Sequence, residues 1–154
     1  RHVRSVMRKR RDARTIAVQS MYRFEISRAP LAELLDYSWI DAQRRRAMAP
    51  ATFEFASLLI AGCIDNLAAI DREIDRHLEH WDIERVSRID LSVLRVGTYC
   101  LLHQRDIPAE VTIDESVAAA RQFGGEHSYR FVNGVLDGIY RRFDAARGTV
   151  ATGC

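Results

Sequence analysis

The stretch that decides the fold is Ser87–Pro108, SRIDLSVLRVGTYCLLHQRDIP. Val93, Leu94, Val96, Gly97, Tyr99, Cys100, Leu101 and Leu102 cover nearly the whole circumference of a helix. A helix that is apolar all round has to be enclosed by others. The segment is therefore predicted to be the central helix of an all-α bundle.

The flanking sequence agrees. Only three Pro (Pro30, Pro50, Pro108) and eight Gly punctuate 154 residues, and the apolar residues between them recur at helical spacing. Upstream, Ile16, Ala17, Ser20, Met21 and Phe24 form one stripe of a helix over about 12–27. A short helix follows Pro30 (Leu31, Leu34, Leu35), and a polar loop carries Arg44, Arg45 and Arg46 up to Pro50. The helical pattern then runs from Pro50 to about Leu78, with a break expected between Gly62 and Asn66. Downstream, VTIDESVAAARQFGG reads as a helix ended by Gly124 and Gly125 in the left-handed cap conformation. Ser128 is placed as N-cap of the last helix, YRFVNGVLDGIYRRF, and residues 147–154 are expected to form a frayed tail. The architecture predicted is a compact single domain over 12–146 with about seven helices, preceded by a basic arm over 1–11.

Charge is unevenly distributed. Residues 1–14 hold seven basic residues against Asp12 alone, a net of +6, in a chain whose total is +2. A basic arm thus precedes a mildly acidic body. With Arg11 as origin of a helical wheel, Thr15, Val18 and Tyr22 fall within about 40° of it, opposite Ile16, Ser20 and Phe24. Tyr22 is therefore expected on the exposed face of the arm. An aromatic ring in line with Arg side chains suits single-stranded RNA, whose phosphates Arg neutralises and whose bases stack on rings.

Other clusters carry less. Asp114 and Glu115 are helix neighbours pointing about 100° apart, and with Glu110 they read as acids favoured near a helix start. Asp71, Glu73 and Asp75, alternating with Arg72 and Arg76, read as a solvated face. His77 with His80, and Cys100 with His103, have the spacing of metal ligands, but no C-x-x-C or H-E-x-x-H accompanies them. There is no phosphate-binding loop, dinucleotide fingerprint or nucleophile elbow. No enzyme activity, metal or cofactor is expected. Gly134 and Gly138 read as a helix-packing face, and Asn133 as a buried packing residue. Three Cys at wide spacing suit reduced thiols, and no apolar run has the length of a membrane span. A soluble, cytoplasmic protein is expected.

ARTIAVQSMYRFEIS (13–27), IDLSVLRVGTYCLL (89–102), DIPAEVTIDESVAAARQFG (106–124) and SYRFVNGVLDGIYR (128–141) together resemble the NusB family of transcription antitermination factors. The resemblance implies an all-α fold in two helical subdomains. It implies binding of boxA-type single-stranded RNA of ribosomal RNA leader transcripts together with the ribosomal protein NusE, and joining of the RNA polymerase elongation complex. It assigns phosphate contacts to Arg10, Arg11 and Arg14, with Lys9 as an addition, base stacking to Tyr22 and Phe131, and a partner contact to Asp90; His127 is placed with Asp90 as a further partner contact. The chain departs from the family pattern at Asp12, Asp114 and His127. Two alternatives are an RNA-positioning module of a ribosomal RNA cytosine methyltransferase and a helical homo-oligomer, and a homodimer is left open.

Overall fold

The computed structural model describes residues 2–79 and 82–152, with backbone alone at residue 2 and over 147–152. Among the described residues there are eight α-helices, a 3-10 turn and no strand. In chain order they are α1 (His2–Ser27), α2 (Leu31–Leu35), α3 (Ala42–Ala47), α4 (Pro50–Asp65), α5 (Leu67–Asp75), α6 (Arg88–His103), α7 (Ala109–Phe123) and α8 (Ser128–Thr152). One helical half gathers α1, α2 and α4, the other α6, α7 and α8, and α1 packs on α6 to join them.

The central helix is where periodicity put it. From Leu91 to Leu101 every α6 residue except Tyr99 is buried. It starts at Ser87, whose Oγ accepts from the Asp90 backbone N–H at 3.2 Å. Around it, Ile16 and Met21 of α1, Leu59 and Ile60 of α4, and Leu136 and Ile139 of α8 are fully enclosed. Each such side chain contributes roughly 1.5–3 kcal/mol on leaving water.

Several expectations are corrected. The first helix begins at His2, ahead of the expected position 12, so the arm is the first part of α1. No Gly or Pro interrupts residues 1–27, and Arg and Met are good helix formers. Arg44, Arg45 and Arg46 lie in α3, capped by Asp41. The long helix breaks at Asn66, within the expected interval, where α4 and α5 meet at 74°. Its Nδ2 donates to the Gly62 carbonyl at 2.8 Å, satisfying an end that the bend leaves open. Val18 is 2% exposed, because α1 is covered by α4 on one side and α6 on the other. The backbone of α8 runs through Thr152, across residues set aside as a tail.

Glycines are used for space. Gly124 has an extended backbone (φ −92°, ψ −173°) in place of a left-handed cap. A Cβ there would fall 2.6 Å from Ser128 Oγ and 2.7 Å from the Ala120 carbonyl. Ser128 Oγ itself accepts from the Gly125 N–H at 2.8 Å, fastening the turn into α8. At Gly62 a Cβ would collide with the Tyr99 ring at 2.2 Å, which sets how closely α4 approaches α6. The left-handed positions are Arg28 (φ 54°), just past α1, and Tyr37 (φ 58°), just past α2. Tyr37 is held there by its hydroxyl, 2.7 Å from Ser57 Oγ, and by its ring against Phe53.

The solvated face expected around Asp71 is broken by a buried cation that composition did not announce. Arg95, on α6, is 4% exposed. Its Nε and Nη2 donate to the Asp71 carboxylate of α5 at 2.9 Å each, and its Nη1 to Glu25 of α1 at 2.7 Å. Burial opposes the charge, but these hydrogen bonds outweigh it and raise the Arg95 pKa. Three helices are thereby tied to one guanidinium. Asn133 is exposed, and a Cβ on Gly134 would meet nothing within 4 Å, so only Gly138 of that pair is a packing residue, against the His77 ring at 2.7 Å.

Two stability measurements follow. Arg95→Ala should cost about 3–5 kcal/mol in urea unfolding, as removal of one partner from a buried ion pair does. Arg95→Met should cost less, because it refills the volume. Gly134→Ala should leave stability unchanged or raise it by up to about 1 kcal/mol. Gly138→Ala should lower the melting temperature, because His77 must move; equal effects at the two glycines would contradict the placement of α8.

Candidate nucleic-acid interface

Of the residues singled out by sequence, Arg10 and Arg14 line one groove, Tyr22 a second, and Asp90, His127 and Phe131 a third. The first lies beside the arm and is lined by Met7, Arg10, Arg14, Ile107, Val111 and Glu115, with Asp106 at its edge. α1 supplies the cations and α7 the carboxylate. Arg10 is half-buried and lies over the Phe55 ring, 5.6 Å from its centroid. Arg11 is exposed but engaged: its Nε and Nη2 reach the Glu115 carboxylate at 3.1–3.3 Å. The hydrogen bond to Glu115 raises the Arg11 pKa.

Arg14 is only 9% exposed, and its Nε has no hydrogen-bond partner within the chain. It faces the thiol of Cys100, whose pKa burial pushes up to about 11 while Arg14 pulls it back. Arg14 thus reaches solvent only through the groove mouth. Lys9 is half-buried and Asp12 is likewise partly covered.

The second groove, about 720 Å³, surrounds Tyr22, which is 40% exposed as the helical wheel predicts. Gln19 and Arg23 of α1, Trp39, Arg88 at the start of α6 and Phe123 at the end of α7 complete it. The third groove, about 450 Å³, brings together Asp90, His127 and Phe131, with Arg85 and Glu126 at its rim. Asp90 Oδ1 is buried there without a hydrogen-bond partner in the chain, an acceptor that a donor entering the groove would satisfy. Phe131 is half-buried, packed against the core and lining the groove. Ser87 borders the second and third grooves alike, so Tyr22 and Phe131 flank the amino end of α6.

Sequence reasoning thus found Asp90, His127 and Phe131 as separate positions, and the turn 124–128 brings them together. It missed Trp39, Arg23 and Arg88. They come from three segments distant in the chain; Arg23 stands beside Tyr22 in 13–27, and the run Arg44-Arg45-Arg46, whose Arg44 bonds Gln19 at 3.2 Å, was the further available signal.

Of the metal-like pairs, Cys100 and His103 gather no third ligand among the described residues. Cys100 is 1% exposed, and the His103 ring lies 4.9 Å from that of Tyr99. His77 Nδ1 is 3.0 Å from the Glu73 carbonyl, and His80 lies outside the described residues. Among the described residues no three His, Cys, Asp or Glu side chains are grouped to hold a metal, and no single helix is long and apolar enough to cross a membrane.

A model of the NusB family matches residues 11–141. The chain is 35% identical over 130 residues to the transcription antitermination protein NusB of Treponema denticola, covering 84% of this chain and 94% of that protein. It is 39% identical over 130 residues to the protein of that name from Myxococcus xanthus, covering 84% and 93%. Among solved structures, T. maritima NusB superposes with a TM-score of 0.78 at 38% identity, over 86% of this chain and 90% of that one. A crystal structure of the antitermination factors NusB and NusE in complex with dsRNA gives a TM-score of 0.78 at 25% identity, over 88% and 98%.

Proposed function

Since the chain belongs to the NusB family of transcription antitermination proteins, we propose that it is a non-enzymatic adaptor that binds boxA-type single-stranded RNA of ribosomal RNA leaders together with NusE, within an RNA polymerase elongation complex. The observation that carries this reading is the meeting of two aromatic grooves at Ser87, with the basic arm on the same helix as Tyr22.

From Arg11 to Tyr22 is eleven residues of one helix, about 16 Å at 1.5 Å per residue. Lys9 and Arg10 meet backbone phosphates at one end of this track. Arg11 joins them by exchanging Glu115 for a phosphate, and Arg14 reaches a phosphate seated in the groove mouth. Tyr22 and Phe131 offer stacking faces at the other end. Asp90 and His127 face the partner or the strand from the third groove, where the unpartnered Asp90 oxygen accepts a hydrogen bond from an amino or guanidinium group. The acidic body suits a basic ribosomal protein, and two weak contacts on one assembly reinforce each other. A known complex of the fold with NusE and RNA supports the partner pair.

Titration with a labelled boxA-containing RNA, with and without NusE, tests the reading. Lys9→Ala with Arg10→Ala should weaken binding and flatten the salt dependence by about 0.7 in log–log slope per lost phosphate contact; wild-type affinity and slope would remove the arm from the interface. Asp12→Arg should tighten binding and steepen the slope. Glu115→Gln should do so too, because it releases Arg11 from its internal partner.

A further inference from the structure

We propose that the groove around Tyr22 is a nucleobase-binding site that takes one base of the bound strand between Tyr22 and Trp39, with Arg23 and Arg88 holding the adjoining phosphates. The inference rests on the RNA reading and adds to it Trp39, Arg23 and Arg88, to which the resemblance assigns no role.

Three observations carry it. First, the cavity of about 720 Å³ lies within the roughly 300–1,000 Å³ that hold a drug-sized ligand, room enough for a base and its ribose. Second, its lining is aromatic and cationic with no carboxylate: Tyr22, Trp39 and Phe123 alternate with Arg23 and Arg88. The arm's groove, by contrast, contains Asp106 and Glu115, and the third groove Asp90 and Glu126. Asp36, whose carboxylate feels the Arg23 charge, is engaged locally, accepting from Ser38 N–H at 2.8 Å and Ser38 Oγ at 2.7 Å. Those hydrogen bonds, more than the neighbouring Arg45 and Arg23, lower its pKa.

Third, the walls are already organised. Trp39 Nε1 donates to the Leu34 carbonyl at 3.3 Å, and its ring lies under Arg23, 5.4 Å from the guanidinium carbon. Arg44 is fixed to Gln19 on the floor at 3.2 Å. The start of α6 adds its own partial positive charge beside Arg88. An aromatic platform with an Arg already stacked on it is the arrangement that binds single-stranded nucleic acid, each stacked base contributing by π overlap and each phosphate by charge.

The test uses the full chain carrying Trp81→Phe, which leaves Trp39 as the one indole. The probe is a boxA-containing leader RNA, intact or with one abasic nucleotide at each position in turn. Intact RNA should quench Trp39 fluorescence, and one abasic position should abolish the quenching. Trp39→Ala should weaken binding of intact RNA about tenfold to a hundredfold, Trp39→Phe should restore most of it, and Trp39→Ala should have no further effect on the RNA lacking that base. Arg88→Gln, at an exposed position where folding is not at stake, should weaken binding severalfold with a shallower salt slope. If the arm variants lose affinity while Arg88→Gln binds as wild type and no abasic position changes the quenching, the groove assignment is overturned and the RNA reading stands. If the wild-type chain does not bind the intact RNA, with or without NusE, both fall.

Discussion

Everything else in this bundle is arranged around one buried guanidinium. Arg95 sits on the most enclosed helix and satisfies its donors from Glu25 at the end of α1 and Asp71 in the middle of α5. Hydrophobic packing fixes how closely these helices approach but is tolerant of small slides along their axes. A bidentate fork and a third bond at 2.7 Å are not tolerant, because a slide of one residue would leave a charge in the core without a partner. The pairing therefore sets the axial position of α1 against α6. That position decides whether Tyr22 arrives at the amino end of α6, beside Ser87 and Arg88, or somewhere else.

The same electrostatic logic sorts the other arginines. Some are committed within the chain: Arg95 to two carboxylates, Arg11 to Glu115, Arg142 to Glu73. Others lie against rings, as Arg10 does on Phe55 and Arg23 on Trp39. A guanidinium on a ring face keeps its edge donors available, whereas one clamped by a carboxylate has to give up a partner before it takes a phosphate. The net charge of the arm thus overstates its immediate reach, and the apolar neighbours of Arg10 and Arg23 matter as much as the count of cations.

Much of the fold was legible because its signals are local and periodic. The all-round apolar run of α6, the punctuation by Pro30, Pro50 and Pro108, and the exposure of Tyr22 followed from spacing alone. What was not legible depended on nonlocal partners. Asp71 looks like any surface acid until Arg95 is placed beside it 24 residues on. Val18 shares a wheel face with Tyr22, yet α1 is flanked on two sides there and only Tyr22 reaches the edge. Gly134 and Gly138 are the same residue one turn apart, and only the second meets another segment, at His77 in the turn after α5. Of the site, Asp90, His127 and Phe131 came from family resemblance; their convergence needed the fold, and the Trp39 groove needed three segments at once.

The continuity of α1 from His2 to Ser27 has a kinetic consequence. A disordered basic tail captures RNA from a distance and then loses conformational freedom as it folds on the strand. Here the backbone ordering is completed with the rest of the chain, so that entropy is not drawn from the encounter. On the proposed RNA reading, capture then depends on orientation, because the strand meets a continuous helix whose far end is set in the core. Such a receptor gains less from long-range fishing and more from discriminating the shape of what it meets, and any torque the strand exerts on the arm passes directly into the helix that carries Glu25.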